Sequence, residues 1–314
     1  MARSTSSPVA ASGAAITAVP GRSLALHLLF SLRPGQWSKN LVIFAGLLFG
    51  RRLFDVGAVA AATGAFLVFC VLSGVVYLVN DVADRESDRR HPLKAHRPIA
   101  SGALGVPAAV GASIVLAAAG LAGAVAIGWP FAVVAASYLL LQLAYSGALK
   151  HIVIIDVLTI AIGFVLRAAA GAVAVNVEIS RWLLVCTILL ALFISLAKRR
   201  HEIVLLAGAA SDHRPILGEY SAYLLDQMIG VVTASTLISY IFYTISPETV
   251  DKFGTPWLGL TIPFPLYGIF RYLYLVHQRE GGGSPADLLL TDRPLLACVA
   301  LWAVAVALII YRPV

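Results

Sequence analysis

Charge is what this chain has least of. Of its 314 residues, 12% are Asp, Glu, Lys or Arg and 60% are hydrophobic, with a mean hydropathy of +0.88. A soluble globular domain carries about a quarter charged residues, so an ordinary soluble fold is excluded. Cysteine is scarce as well. Cys70, Cys186 and Cys298 each sit inside an apolar block without ligand-like spacing, which argues against a disulfide framework or a zinc site and for small packed hydrophobes. The first 22 residues, rich in Ala, Ser and Thr, lack the continuous apolar core of a signal peptide. They read as a disordered cytoplasmic tail. No internal repeat and no clean GxxxG motif stands out, so no dimer face is argued; a homo-oligomer stays open.

What the chain does have is apolar blocks near 20 residues long, the length that crosses ~30 Å of hydrocarbon. Reading them gives about nine spans, near 37–50, 56–80, 106–127, 130–147, 152–175, 181–197, 222–245, 256–277 and 293–311. An amphipathic approach helix is expected at about 23–33. The expected fold is therefore an all-α polytopic membrane helix bundle, with residues 23–314 as one unit. With the N-terminus inside, most of the 23 Lys and Arg fall on the cytoplasmic side, as the positive-inside rule requires. This predicts a multi-pass plasma-membrane protein with its C-terminus outside and every dense charge cluster on the cytoplasmic face. The lipid bilayer is its expected surrounding, and no nucleic-acid partner is expected.

The densest cluster begins at Tyr77, in "YLVNDVADRESDRRHPLKAHRPIASG". If the preceding helix continues past Asn80, then Asp81, Asp84 and Asp88 fall at i, i+3 and i+7 and share one face. Three carboxylates so placed repel unless a cation sits between them. Hard oxygen donors of this kind suit Mg2+, which commonly takes one or two carboxylates plus substrate phosphate oxygens, and Asn80 adds an amide oxygen. A second reading stays open, a solvated loop whose acids pair with neighbouring arginines.

Three further clusters follow. In "AYSGALKHIVIIDVLTIAIGFVLRAAAGAVA", Asp156 and Arg167 are eleven residues apart and share a helix face, with Tyr145 and Lys150 at the entrance of the same cavity. An intramembrane arginine is costly and is a functional-site candidate; a structural ion pair is the alternative. In "SLAKRRHEIVLL", Lys198 and Glu202 are i, i+4 and Arg199 and Arg200 add charge. A cytoplasmic anchor is the alternative here, and His201 reads as a solvated surface histidine. The last loop, "HQREGGGSPADLLLTDRPL", holds Gly281 to Gly283 as a hinge or a plain linker, with Asp287, Asp292 and Arg293 nearby.

"NDVADRESD" matches the NDxxDxxxD signature of the UbiA-type intramembrane prenyltransferase superfamily, and "RRHPLKAHRPIASG" resembles the HPxKxxRPIAxG continuation of that loop. The resemblance implies a UbiA-like catalytic domain with a cytoplasmic-side cavity. It also implies Mg2+ held by Asn80, Asp84 and Asp88, with Asp81 in support and Lys94 and Arg97 on phosphate. Aromatic prenyltransferases of this superfamily carry a second motif, DxxxD, after a later span; at the corresponding place stand Lys198, Arg199 and Glu202. The combination of YSxxLK, Asp156, Arg167 and KRxxE is similar to the decaprenyl-phosphate phosphoribosyltransferase branch. So are "RPGQWSKNLVIFAGLLFG", "EYSAYLLDQMI" and "LLLTDRPLL".

That branch implies Mg2+-dependent transfer of 5-phosphoribose from phosphoribosyl diphosphate to a polyprenyl phosphate, releasing diphosphate, in cell-wall arabinan synthesis. Asp84, Asp88, Lys198, Arg199 and Glu202 become candidate catalytic residues. Lys39, Asn80, Asp81, Lys94, Arg97, Tyr145, Lys150, Asp156 and Arg167 become candidate substrate contacts, and Arg33, Trp37 and Lys39 lie where a lipid phosphate would approach. The alternatives are UbiA-type prenyl transfer to an aromatic or other acceptor, and a transporter, which would spread its charge through the membrane depth.

Overall fold

The computed structural model describes residues 24–90, 94–178, 180–206, 215–278, 288 and 291–312. The expected tail (1–22), the His91-Pro92 pair, Gly281 to Gly283 and Asp287 lie outside the described residues.

Among the described residues all regular structure is helical. In chain order the α-helices are α1 (Leu24–Ser31), α2 (Ala45–Phe49), α3 (Val56–Ala83), α4 (Arg85–Arg90), α5 (Pro98–Ser101), α6 (Val106–Ile127) and α7 (Trp129–Gly147). They continue with α8 (Ile155–Ala174), α9 (Arg181–Leu206), α10 (Ala222–Ile245), α11 (Pro247–Phe253), α12 (Pro263–Gln278) and α13 (Arg293–Ile310). Side-chain oxygens cap several of them, as helix starts prefer: Asp55 accepts from the Ala58 N–H, Ser221 from Leu224 and Asp292 from Leu295. Arg271 also donates to Asp292 at 2.8 Å, and these bonds hold that carboxyl below the usual carboxylate range.

Among the described residues, seven helices are long and apolar enough to cross a membrane: α3, α6, α7, α8, α9, α10 and α13. The sequence predicted about nine. The other two segments are composite. The first is a 3₁₀ helix of 11 residues (Pro34–Phe44) running into α2, and the second is a 3₁₀ turn (Trp257–Thr261) running into the 16-residue α12. A 3₁₀ helix rises about 2.0 Å per residue against 1.5 Å for an α-helix, so 34–49 spans roughly 29 Å despite its few residues. One end of this segment meets the C-terminal end of α3, where Arg33 pairs with Asp81; the other leads to Leu53, just before α3 starts. It therefore runs the depth of the bundle. Tyr311 closes the far end by accepting from the Leu53 N–H and donating to the Leu47 carbonyl (2.8 and 3.0 Å).

Two apolar cores meet at α8. Phe69, Leu72, Phe131, Tyr138 and Ala170 belong to the first, and Val157, Phe193, Leu196, Leu225 and Tyr272 to the second. In lipid, where apolar burial drives little helix association, close backbone approach does this work. The tightest crossing sets the first composite segment on α8. A Cβ on Gly171 would stand 2.0 Å from the Ile43 carbonyl oxygen, and one on Gly46 would stand 2.9 Å from the Gly171 backbone. Gly111 on α6, by contrast, has nothing within 4 Å. The Gly171→Ala variant is expected to lose about 1–3 kcal/mol by overpacking, whereas Gly111→Ala gains a few tenths from helix propensity. Thermal unfolding in detergent separates them, and equal midpoints would contradict the crossing.

Candidate active site

Among the described residues, the charge clusters singled out in the sequence lie at one end of the bundle, where α3, α7, α9 and α12 finish and α8, α10 and α13 begin. Two clusters there involve the residues singled out in the sequence.

The first is built on the end of α3. That helix stops at Ala83, but Asp84 N–H still bonds the Asn80 carbonyl and Asp88 N–H bonds Asp84 (both 2.8 Å), so the chain stays nearly helical into α4. Asp81 and Asp88 consequently face the same way, and both are almost fully buried (3% and 2% exposed). A cation does sit between them. One nitrogen of Arg97, Nη1, donates to Asp81 at 3.1 Å and to Asp88 at 2.6 Å. Arg33, whose φ of 51° turns the chain out of α1, donates to Asp81 as well and lies 4.8 Å over the Tyr77 ring. Lys94 Nζ stands 4.0 Å from Asp88. Asp84 points elsewhere. It is 41% exposed and pairs with Lys150 at 2.9 Å. The Asn80 side chain is half-buried and makes no hydrogen bond among the described residues. No three His, Cys, Asp or Glu side chains among the described residues converge as a closed metal site. Asn80, Asp84 and Asp88 supply hard oxygen atoms at this helix end, with Asp88 held by Arg97 and Asp84 by Lys150.

The second cluster joins α8 to α9. Asp156 is fully buried and Arg199 is 2% exposed. Arg199 Nε donates to Asp156 at 3.0 Å, Nη1 to Glu202 at 2.9 Å and Nη2 to Tyr145 at 3.5 Å. The other Asp156 oxygen accepts from Tyr220 at 2.8 Å. Burial pushes the Tyr220 hydroxyl up to about 12, with its bond to Asp156 adding to the rise, so it remains a donor at physiological pH. Lys198 Nζ lies 3.9 Å from Glu202. Arg200 turns to the opposite side and pairs with Asp226 on α10.

Arg167 lies deeper, about 18 Å along α8 from its start at 1.5 Å per residue. Its spacing from Asp156 predicts one shared cavity, yet the two reach different neighbours. Arg167 donates to Asn40 (2.7 Å), to the Gly163 carbonyl (3.0 Å) and to Tyr138 (2.7 Å), and stacks on the Tyr138 and Phe164 rings. Ser73 bonds both Asn40 and Tyr138. Among the described residues no carboxylate pairs with Arg167, so it is not the structural ion pair that sequence left open. Lys39 is half-buried one residue before Asn40, and the Trp37 indole donates to the Leu32 carbonyl at 3.2 Å.

The sequence missed Asn40, Ser73, Tyr138 and Tyr220. All four are polar residues in or beside apolar runs, which is the signal that would have flagged them. His201 corrects an expectation. It is 8% exposed rather than solvated, because α9 continues to Leu206 instead of ending near 197 and keeps this turn packed against the bundle.

The chain matches the model of the UbiA prenyltransferase family over residues 40–287. It belongs to that family. Decaprenyl-phosphate phosphoribosyltransferase of Corynebacterium glutamicum is 33% identical over 297 residues, covering 93% of this chain and 89% of that protein. The protein of the same name from Mycolicibacterium smegmatis is 33% identical over 312 residues, covering 94% and 96%. The structure of a UbiA homolog from Archaeoglobus fulgidus bound to GPP and Mg2+ superposes with a TM-score of 0.69. It does so at 20% identity, over 92% of this chain and 99% of that one, and shares the UbiA fold.

The buried pair gives a stability test. Replacing Asp156 with Leu removes the fully buried partner of Arg199, leaving the half-buried Glu202 as its carboxylate, and losing one partner of a buried pair costs up to about 3–5 kcal/mol. Replacing both, as Asp156→Leu with Arg199→Met, is expected to recover most of that loss. A double variant no more stable than the single one, by thermal unfolding in detergent, would refute the pairing.

Proposed function

We propose that this chain transfers 5-phosphoribose from phosphoribosyl diphosphate to a polyprenyl phosphate and releases diphosphate. The observation that carries the reading is the make-up of the second cluster. It holds Lys198 and Arg199 against Asp156 and Glu202, so its formal charges cancel. A second dication would call for an acidic set there, as prenyl transfer to an aromatic acceptor does in this superfamily. Two anionic substrates call for cations. The relatives over 89–96% of their length carry the matching name. Clustering of charge at one end also speaks against transport.

In the first cluster each carboxylate already holds a cation, so it favours an incoming pair of opposite charges over a lone metal ion. Asp84 and Asp88, with Asn80, are the residues that would hold Mg2+, which when bound neutralises the diphosphate as it leaves. Lys150, Lys94 and Arg97 then turn from carboxylate to phosphate oxygen, where arginine gives bidentate contacts. Asp81, gripped by Arg33 and Arg97, keeps the acidic turn in place. The bond from ribose C1 to the diphosphate oxygen breaks as a lipid phosphate oxygen bonds to C1. A phosphate monoester is already anionic near neutral pH, so positioning and electrostatics carry the step without a strong base. Lys198, Glu202, Tyr145 and the deeper Arg167 are the further groups that would meet the substrates, and Lys39 stands on the first composite segment, where the lipid phosphate would enter. The excess of Lys and Arg at the charged end supports a cytoplasmic N-terminus and an outer C-terminus. This reading needs both composite segments to cross, because only then does the charged end of α3 lie on the same side as the N-terminus.

Purified protein in detergent with Mg2+, a polyprenyl phosphate and labelled phosphoribosyl diphosphate is expected to move label into the organic phase. Chelation, Asp84→Ala and Lys198→Ala should each reduce that signal by at least about tenfold, the scale of one lost charge-assisted contact. If label stays in water while an isoprenoid diphosphate is consumed with an aromatic acceptor, the prenyl-transfer reading replaces this one.

A further inference from the structure

The stretch 148–156 between α7 and α8 touches both charge clusters. Lys150 reaches Asp84 in the first, and Asp156 holds Arg199 in the second. Its backbone enters α8 through Ile154 at φ 69°, a conformation that a β-branched residue adopts only when its surroundings impose it. One side chain bonds this turn twice. The Tyr220 hydroxyl accepts the Ile154 N–H at 2.7 Å and donates to Asp156 at 2.8 Å. Tyr220 is 5% exposed, and its ring packs in the second core beside Val157 and Ile216. It comes from the far side of α9, just before α10, so it latches one loop onto another.

We propose that Tyr220 is a positioning residue, whose one hydroxyl fixes the 148–156 stretch so that Lys150 meets the acidic turn while Asp156 holds Arg199. This rests on the transfer reading above. Without the hydroxyl, two groups lose a partner at once, the partly buried Ile154 N–H and one oxygen of the fully buried Asp156, and orphaned buried polar groups are costly. The stretch relieves that cost by shifting, and the shift is carried to Lys150 four residues upstream of Ile154. A displacement near 1 Å at a positioning group can lower a rate by about a hundredfold.

The test is Tyr220→Phe, which keeps the packed ring, in a cycle with Lys150→Ala. Phosphoribosyl transfer by the full-length protein is measured in detergent. Alone, Tyr220→Phe is expected to lower kcat/KM by about tenfold or more. In the Lys150→Ala background the same change should cost less than about threefold, because coupled residues are not additive. A loss of equal factor in both backgrounds, or no loss at all, overturns the proposal and leaves the transfer reading intact. If the wild-type protein transfers no phosphoribose, the transfer reading fails instead, and amide hydrogen exchange over 150–156 decides. Faster exchange in Tyr220→Phe supports the latch, and unchanged exchange overturns it.

Discussion

The structure depends on a single constraint, that a charge taken out of water must be met where it is buried. Removing an ion to a low-dielectric interior costs several kcal/mol even after relaxation. Asp81, Asp88 and Asp156 are each 3% exposed or less, and each meets a guanidinium from another element. These pairs dictate how the helix ends assemble. Arg33 brings the turn after α1 onto α3, Arg97 brings the turn before α5 onto α3 and α4, and Arg199 brings α9 onto α8. Elsewhere the bundle is held by close packing, as where Gly46 and Gly171 let the first composite segment lie on α8. Charge therefore specifies one end of the molecule, and shape specifies the rest.

Arg167 obeys the same constraint by other means. Its guanidinium spreads one charge over three donor directions and two aromatic faces, and guanidinium is more weakly hydrated than ammonium, so it tolerates burial better than lysine. Asn40, Tyr138 and the Gly163 carbonyl satisfy its hydrogen bonds without cancelling its charge. A standing positive charge is left beneath the charged end, in a medium where its field is screened far less than in water. An anion entering from that end is drawn inward by it, and a metal ion alone is not.

Hydropathy made most of the architecture legible. The bounds expected for the third and seventh spans coincide with α6 and α10, because an apolar run of fixed length has few other conformations in lipid. It did not separate the two composite segments from ordinary spans, since hydropathy counts residues and is blind to the rise per residue. At the site, helical spacing put Asp81 and Asp88 on one face, but no spacing tells that Arg97 sits between them or that Asp84 turns to Lys150. Likewise, the interval from Asp156 to Arg167 is a property of α8 alone. Their partners, Arg199 on one side and Asn40 with Tyr138 on the other, are set by which helices pack around α8. Tyr220 was unreadable for the same reason. Its partners lie 64 and 66 residues away, and nothing local marks its hydroxyl as bonded twice.

Under the proposed transfer, the one-ended arrangement also matches the two faces of an amphiphilic acceptor. A polyprenyl phosphate must keep its tail in hydrocarbon while its phosphate reaches a polar donor substrate. The charged end offers such a meeting place: α1 exposes Leu24, Leu26, Leu29 and Phe30 at 41–61% immediately before Arg33 turns onto Asp81. An apolar approach and a cationic anchor are thus adjacent in three-dimensional space and in sequence. Spread through the membrane depth, the same cations would pull a phosphate into hydrocarbon at a prohibitive desolvation cost. Gathered at the end, they would let both anions of the proposed transfer stay hydrated until they meet, which is the cheaper arrangement for joining a lipid phosphate to a sugar carbon.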